Sequence, residues 1–435
     1  MKTLTILTIF FISFNCFSQC PNSDIVLSSQ NDIDNFSTNY PNCTQLNNSL
    51  KIEGTNATNL SPLSSITSVN NSVFIKDNVG LTSLTGLSNL ATIGSNFFLE
   101  NNASLTDISA LNGLTSIGLS FYLKDNVGLT SLTGLSNLAT IGSNFFLENN
   151  ASLTDISALN GLTSIGLSFY LKDNGGLTSL TGLSSLATIG SNFFLENNAS
   201  LTDISALIGL TSIGLSFYLK DNGGLTSLTG LSSLATIGSN FFLENNASLT
   251  DISALNGLTS IGLSFYLKDN GGLTSLTGLS SLATIGSNFF LENNASLTDI
   301  TGLNALVTVS NNFYIQNNSN LTNCNIDYIC NGSNSNITIS NNNTGCNDIT
   351  EACSALSIID EEINTVKIYP NPTKGFINLI SNNLLNVELY DMLGKKVLTT
   401  NNIKIDLSSF KTGIYLLKVK SRDNGSIETY RLIKE

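Results

Sequence analysis

Histidine and tryptophan are absent from this chain, and basic residues are scarce, with 18 Lys and Arg against 31 Asp and Glu. The absence of His removes the commonest general base and the commonest transition-metal ligand. A formal net charge of -13 argues against nucleic acid and against an anionic membrane surface as partners, because both recruit basic patches. No motif pairs a nucleophile with a base. We therefore expect a non-catalytic protein, with no catalytic residues, no metal site and no cofactor.

Long apolar runs are also lacking, with one exception at the N-terminus. The segment from Leu4 to Phe17 follows a single Lys and is too short to span a bilayer. This pattern is typical of a secretory signal peptide, so we assign residues 1–19 to one, with cleavage near Ser18 or Gln19. An N-terminal membrane anchor is the competing interpretation.

A 24-residue unit is repeated ten times over residues 78–317. Odd and even copies differ, so the near-exact period is 48 residues. A fixed period in this range indicates a solenoid, in which stacked coils share one core that no single coil can form. We expect an N-terminal cap and an atypical first coil over residues 20–77, and a Cys-rich cap over residues 318–356. Every copy begins with Asn: Asn78, Asn102, Asn126, Asn150, Asn174, Asn198, Asn222, Asn246, Asn270 and Asn294.

Each coil contains one segment with the alternation of a strand. Numbering each copy from its Asn, positions 20 to 23 place Phe97 and Leu99 on one face and Phe98 and Glu100 on the other. We expect one rung of a parallel sheet per coil, with Phe97 and Leu99 pointing inward. The invariant Asn at position 1 is expected to turn inward, to satisfy backbone groups at the bend and to stack as a ladder along the axis.

Cysteines lie only outside the ten copies. Without Cys16 of the signal peptide an even number remains, which in an exported chain indicates disulfides. Cys20 and Cys43 are the natural N-terminal pair, and the last four allow three connectivities. A zinc site is the alternative, but the chain offers no His and the spacing is irregular. The six are Cys20, Cys43, Cys324, Cys330, Cys346 and Cys353.

The stretch I-G-x-N-F-F-L-x-N-N-x-x-L-T-x-L resembles the leucine-rich repeats of the receptor L-domain type found in many exported Bacteroidetes proteins. The resemblance covers about 300 residues and extends into the Cys-rich cap. It implies a mainly β solenoid that binds a ligand or a surface and has no catalytic site.

The outward face of the predicted strands is the candidate binding surface. Position 23 alternates Lys and Glu from Lys76 to Glu292, and such neighbours on a sheet contribute roughly 0.2–1 kcal/mol each. One interpretation is that the two files set the register of the coils. The other is that an exposed aromatic strip binds a glycan, a protein or another copy of the chain. Beyond Phe74, the strip at position 21 comprises Phe98, Tyr122, Phe146, Tyr170, Phe194, Tyr218, Phe242, Tyr266, Phe290 and Tyr314.

Asp recurs at position 6 of every even copy. Successive residues are two rungs apart, roughly 10 Å, which is too far for them to share one Ca²⁺. We expect them to cap turns, with calcium binding as the alternative. They are Asp107, Asp155, Asp203, Asp251 and Asp299.

The composition changes after the repeats. We assign residues 357–365 to a linker and residues 366–435 to a small immunoglobulin-like β-sandwich of about seven strands. The predicted strands are Val366–Tyr369, Gly375–Ile380, Asn386–Tyr390, Lys396–Thr399, Ile403–Asp406, Gly413–Lys420 and Glu428–Ile433.

The C-terminal region carries a set of short motifs. The motif residues are Tyr369, Pro370, Asn371, Pro372, Gly375, Gly394, Gly413, Tyr415 and Lys418. These motifs resemble the type A C-terminal sorting domain of the type IX secretion system. The resemblance implies passage through the periplasm and across the outer membrane by that machinery, followed by release or surface attachment. An ordinary immunoglobulin-like binding module is the alternative.

Taken together, these patterns predict an exported, adhesin-like binding protein at the cell surface or outside the cell. The competing function is a structural spacer or surface-layer component without a specific ligand. Near-identical copies favour the first, because many weak equivalent contacts add up.

Overall fold

The computed structural model describes residues 20–54, 56–331, 336–354, 366–380, 385–421 and 427–435. The chain divides into two compact units, Met1–Ala355 and Leu356–Glu435. The predicted signal peptide and the predicted linker lie outside the described residues. The finer domain boundaries within the first unit stay predictions.

A parallel sheet of 14 strands runs the length of the first unit. Each strand pairs with the next at a shift of one repeat, so that Phe145 lies opposite Phe169 and Glu148 opposite Lys172. The expected rung per coil and the mainly β solenoid are confirmed. The strands of this long-strand sheet are Ile25–Leu27, Leu50–Glu53, Val73–Lys76, Phe97–Glu100, Phe121–Lys124, Phe145–Glu148, Phe169–Lys172, Phe193–Glu196, Phe217–Lys220, Phe241–Glu244, Phe265–Lys268, Phe289–Glu292, Phe313–Gln316 and Ile337–Ser340.

A second parallel sheet of 12 very short strands, absent from the sequence prediction, forms another side of the same unit. Its strands have two residues each, which is too few for a periodic pattern to show. The strands of this short-strand sheet are Gln45–Leu46, Ser68–Val69, Thr92–Ile93, Ser116–Ile117, Thr140–Ile141, Ser164–Ile165, Thr188–Ile189, Ser212–Ile213, Thr236–Ile237, Ser260–Ile261, Thr284–Ile285 and Thr308–Val309.

The three-residue spacing of Leu and Ile in the first half of each coil suits 3-10 turns, which have three residues per turn. In the second copy Leu111 N donates to Ile108 O at 2.9 Å and Leu114 N to Leu111 O at 2.9 Å, and all three side chains are buried. The 3-10 helices are Ser61–Leu63, Ser109–Gly113, Ser157–Gly161, Ser205–Gly209, Ser253–Gly257, Thr277–Leu279 and Thr301–Leu303. The α-helices are Gln30–Asp34, Phe36–Asn39, Asp327–Cys330 and Ile349–Ser354.

One continuous core fills the first unit, from Cys20 to Ala352. Phe at position 20 and Leu at position 22 are buried, as expected. Close stacking also explains the Gly at position 17. A Cβ on Gly166 would lie 2.1 Å from Gly142 O in the preceding coil, so any side chain there would push the coils apart.

Asn at position 1 forms the expected buried ladder. Asn174 Nδ2 donates to Leu147 O at 2.9 Å and to Lys172 O at 2.8 Å, while its backbone N donates to Asn198 Oδ1 at 3.1 Å. Its Oδ1 accepts from Asn150 N at 3.1 Å. Each Asn thus bonds to groups in three coils, which satisfies backbone atoms at a bend that water does not reach.

The residue just before each ladder Asn turns the chain. Asp173 at position 24 has φ 57° and Asn197 has φ 53°, and the other copies behave alike. Asn and Asp are the side chains that tolerate this left-handed conformation best, because they form hydrogen bonds with the local backbone. The restriction of position 24 to Asn and Asp therefore follows from the bend.

Three disulfides lie at the two ends of the core. Cys20 is joined to Cys43, with Cα atoms 4.9 Å apart. At the other end Cys324 is joined to Cys346, and Cys330 to Cys353, each pair with Cα atoms 5.4 Å apart. The structure thereby selects one of the three connectivities that the sequence left open.

The second unit is a small antiparallel β domain built from one sheet of three strands and one of four. The sheets share a core that includes Ile377, Leu389 and Leu417. Its strands agree with the predicted ones to within two residues: Lys367–Tyr369, Phe376–Ile380, Leu385–Asp391, Lys396–Thr400, Lys404–Asp406, Gly413–Ser421 and Ile427–Lys434. Across the described ranges, no helix is long and apolar enough to cross a membrane.

We predict that Asn174→Ala lowers the free energy of unfolding by about 3 kcal/mol, since each buried backbone group left without a partner costs roughly 1–3 kcal/mol. Urea denaturation followed by circular dichroism measures the change. The matched control is Asn137→Ser at exposed position 12, where later copies carry Ser185 and Ser233. Equal stability of the two variants would show that the ladder does not hold the coils.

Candidate binding surface

The outward face of the long-strand sheet carries the aromatic strip at position 21. From Phe74 to Tyr314 each ring stacks on the next, with centroids 4.3–5.1 Å apart and planes 5–13° apart. The rings are half-buried, whereas the sequence suggested an exposed strip. The difference arises because each ring covers the faces of its neighbours. Ring edges, and the Tyr hydroxyl in every even copy, remain at the surface.

Lys and Glu at position 23 form isolated ion pairs. Lys76 Nζ lies 2.7 Å from Glu100 Oε2, and the same contact of 2.7–2.9 Å recurs from each even-copy Lys to the Glu of the next coil. Over the described part of the repeats, no salt bridge joins Glu100 to Lys124 or any other Glu to the following Lys. The sequence suggested an unbroken alternating file. The contacts are instead made at every second gap, where the Lys of one coil meets the Glu of the next.

These ion pairs also cover the rings. Lys124 Nζ lies 4.4 Å from the ring centroid of Phe146 and 5.7 Å from that of Tyr122. The ten side chains of these five Lys–Glu pairs are only 18–29% exposed. At the first pair, the hydrogen bond to Glu100 raises the pKa of Lys76 above its ordinary value. The charged groups are thus held in place by neighbouring coils.

At position 24, next to these ion pairs, hydrogen bonds join the same pairs of coils. Asn101 Nδ2 donates to Asp77 Oδ1 at 2.6 Å, and Asn293 Nδ2 to Asp269 Oδ1 at 2.9 Å. The equivalent bonds join Asn149 to Asp125, Asn197 to Asp173, and Asn245 to Asp221.

An even coil and the odd coil after it therefore form a two-coil module. Both the Lys–Glu pairs and the Asp–Asn bonds fall within this module and not between modules. The near-exact period of 48 residues matches the module, since a shift of one coil would bring like groups together.

The Asp residues at position 6 cap turns, as expected. Asp107 Oδ1 accepts from Ser109 N at 2.8 Å, and Asp299 Oδ1 from Thr301 N at 2.6 Å. Asp155, Asp203 and Asp251 make the same bond. No three His, Cys, Asp or Glu side chains come together as a metal site within the ranges that the structure describes.

Asn371 of the C-terminal motif connects the two ends of the second unit. Asn371 Nδ2 donates to Arg431 O at 2.7 Å, and its Oδ1 accepts from Ile433 N at 2.9 Å, so this side chain ties the start of the domain to its last strand. Gly394 lies in a turn with φ 77°, and Tyr415 donates its hydroxyl proton to Lys411 O at 2.9 Å.

Lys418 faces outward on the four-stranded sheet of the second unit. It borders an open groove of about 290 Å³ that Asn386, Glu388, Lys420 and Ile427 also line. Lys418 thus borders this groove, whereas Asn371, Gly394 and Tyr415 take part in the fold of the second unit.

Comparison with known proteins gives two family matches. A BspA type leucine rich repeat region matches in six copies over residues 51–174, 120–247 and 235–358. A secretion system C-terminal sorting domain matches residues 367–435. Both resemblances found in the sequence are thereby confirmed, the repeats being of the BspA type. No curated protein and no solved structure matches the chain.

We predict that deleting residues 126–173 preserves the alternation of Lys and Glu, whereas deleting residues 126–149 interrupts it. The longer deletion places Lys124 beside Glu196, and the shorter one places Lys124 beside Lys172, a like-charge pair that is destabilising by roughly 0.2–1 kcal/mol. The shorter deletion should therefore lower the melting temperature more per coil removed than the longer one. The opposite order, measured by thermal circular dichroism, would contradict the two-coil module.

Proposed function

Since the chain belongs to the BspA-type leucine-rich-repeat family, we propose that it is an adhesin-like binding protein that presents one surface pattern many times. Its sorting domain sends it to the cell surface or the extracellular space and implies handling by type IX secretion machinery. Neither family is catalytic. Binding through the repeats is the function that these properties favour.

One set of surface groups is repeated at a fixed interval along the solenoid, and this repetition favours binding. Every two-coil module offers the edge of a Tyr ring with its hydroxyl, the ammonium of a Lys and the carboxylate of a Glu. Successive modules are about 9.6 Å apart along the axis, twice the strand spacing. A partner that meets several modules gains avidity, because every contact after the first is intramolecular.

The stacking geometry bears on the class of ligand. A sugar ring that binds an aromatic side chain by stacking needs a free ring face, and here the faces are occupied by neighbouring rings 4.3–5.1 Å away. Ring edges, hydroxyls and fixed charges are left, and these are groups with which protein interfaces are rich. We therefore propose a protein ligand for the aromatic strip, in preference to a glycan.

A spacer or surface-layer role is the second candidate, and one observation favours it. The stacked rings and the Lys–Glu pairs satisfy each other within the solenoid, so the face is stable without a ligand. A spacer would show no repeat-dependent binding to any matrix protein. The two candidates therefore differ in a direct binding assay.

We predict that removal of residues 366–435 traps the protein in the periplasm, since the sorting domain lies within that segment. Fractionation and surface labelling of intact cells measure the location. The matched control is Lys420→Gln in the full chain, a single exposed substitution that should leave secretion unchanged. Surface display of the truncated chain would contradict the assignment.

We predict that changing Tyr122, Tyr170, Tyr218 and Tyr266 to Phe weakens binding to a matrix-protein array while leaving the fold intact. Odd copies carry Phe at this position, so stacking is preserved, and each lost hydroxyl removes a hydrogen bond worth about 1 kcal/mol. Tyr40→Phe in the N-terminal cap is the control.

The same array should carry glycans beside the proteins. Unchanged protein binding by the four-Tyr variant would exclude the hydroxyls of the strip as contacts. Binding to glycans alone would overturn the protein class of the ligand, and binding to neither would favour the spacer.

A further inference from the structure

Charge is confined to one part of each coil. Within the ten copies every Lys, Glu and Asp occupies position 6, 23 or 24, and positions 7–22 carry no charged residue. The side of the solenoid that follows the short-strand sheet is therefore neutral. Its outward residues at positions 14 and 15 are Ala, Thr and Ser, ending in Val307 at position 14 of the last copy.

A row of Leu side chains stands on this neutral side. Position 18 follows the Gly at position 17, just beyond each short strand, and in four even copies it carries a Leu that is 46–47% exposed. Odd copies have a half-buried Ser at the same position. Leu and Ser thus alternate along the axis, each Leu about 9.6 Å from the next. The leucine row consists of Leu119, Leu167, Leu215 and Leu263.

The row has a regular spacing, because the rings of successive coils lie almost directly above one another. From Phe97 to Phe265 the planes of adjacent buried rings differ by only 0–4°, and their centroids lie 4.9–5.3 Å apart, close to one strand spacing. A large lateral shift between coils would lengthen these distances. The Asn ladder and the ring stacks supply this restraint, as side-chain ladders and stacking do in other regular sheets. A face of this regularity can mate with another copy coil by coil.

We propose that the leucine row and the neutral face around it bind a second copy of this chain. In an antiparallel arrangement with a twofold axis, each Leu of one copy enters the gap above a Ser of the other. The leucine row of one copy fits that of another, because each gap lies midway between two Leu residues of the same 48-residue period. Such an isologous contact closes at two copies.

The size and charge of the face suit this partner. Ten coils and the five residues at positions 14–18 give a strip of roughly 48 by 16 Å, about 750 Å² in projection, close to the ~800 Å² per partner of a standard interface. Two copies with a net charge of -13 each repel, and the neutral side is where they approach without bringing like charges together. An uncharged solid polymer would also meet a flat face, but it would have no reason to match the Leu–Ser alternation.

Sedimentation equilibrium of the purified full chain tests the proposal, with a dimer expected for the wild type. Changing all four Leu to Ser, the residue that odd copies carry, should give a monomer with an unchanged circular dichroism spectrum. The control is the variant with Phe at Tyr122, Tyr170, Tyr218 and Tyr266 on the other face, which should remain dimeric. This control also separates the dimer from the ligand binding proposed above.

A second variant distinguishes interdigitation of the Leu side chains from nonspecific apolar association. Ser143→Leu and Ser191→Leu fill two of the gaps, so they should weaken the dimer although they add apolar surface. Stronger association of this variant, or dimers of the four-Ser variant, would overturn the proposal. So would a wild type that stays monomeric at about 100 µM, since standard interfaces give dissociation constants from µM to pM. Binding to cellulose or chitin particles by a monomeric wild type would identify a solid polymer as the occupant.

Discussion

The hydrogen bonds of the buried Asn at position 1 are the constraint on which the rest of the structure depends. Each Asn side chain donates to backbone carbonyls of the two preceding copies, and its backbone N donates to the side-chain oxygen of the next Asn, as Asn174 shows. A coil displaced by any number of residues other than 24 would leave several buried donors and acceptors unpaired, at roughly 1–3 kcal/mol each. Register is therefore enforced inside the solenoid. The stacked rings, the Gly column and the surface pairs are then repeated at fixed intervals.

Regular stacking also places the same surface groups at fixed intervals along the solenoid. Because odd and even coils differ in sequence, the module of two coils, and not the single coil, is the unit that a partner meets. One side of the solenoid offers Tyr edges and fixed charges, and another offers a neutral face with a Leu in every second coil. A protein with such a pattern at the cell surface can bind a ligand through one side and a second copy of itself through another.

Much of this fold could be predicted from sequence, since strong periodicity fixes what lies inside. The strand at positions 20–23, the inward Phe97 and Leu99, and the seven strands of the second unit were all predictable. The two-residue strands such as Thr92–Ile93 were not, because two residues show no alternation. The pairing of the last four cysteines could not be predicted, since their spacing alone allows three connectivities. The half-burial of Tyr170 and the pairing of Lys172 with Glu196 alone also depend on how neighbouring coils contact each other, which composition cannot show.

Side chains 24 residues apart in sequence lie one strand spacing apart in space. Spin labels at position 12 measure this relation, with Asn89 paired in turn with Ser185, Ser233 and Ser281. Stacked coils give narrow distance distributions near 19, 29 and 38 Å, which increase linearly by about 4.8 Å per coil. Broad distributions, or distances that grow with the square root of the separation, would show that the copies do not stack.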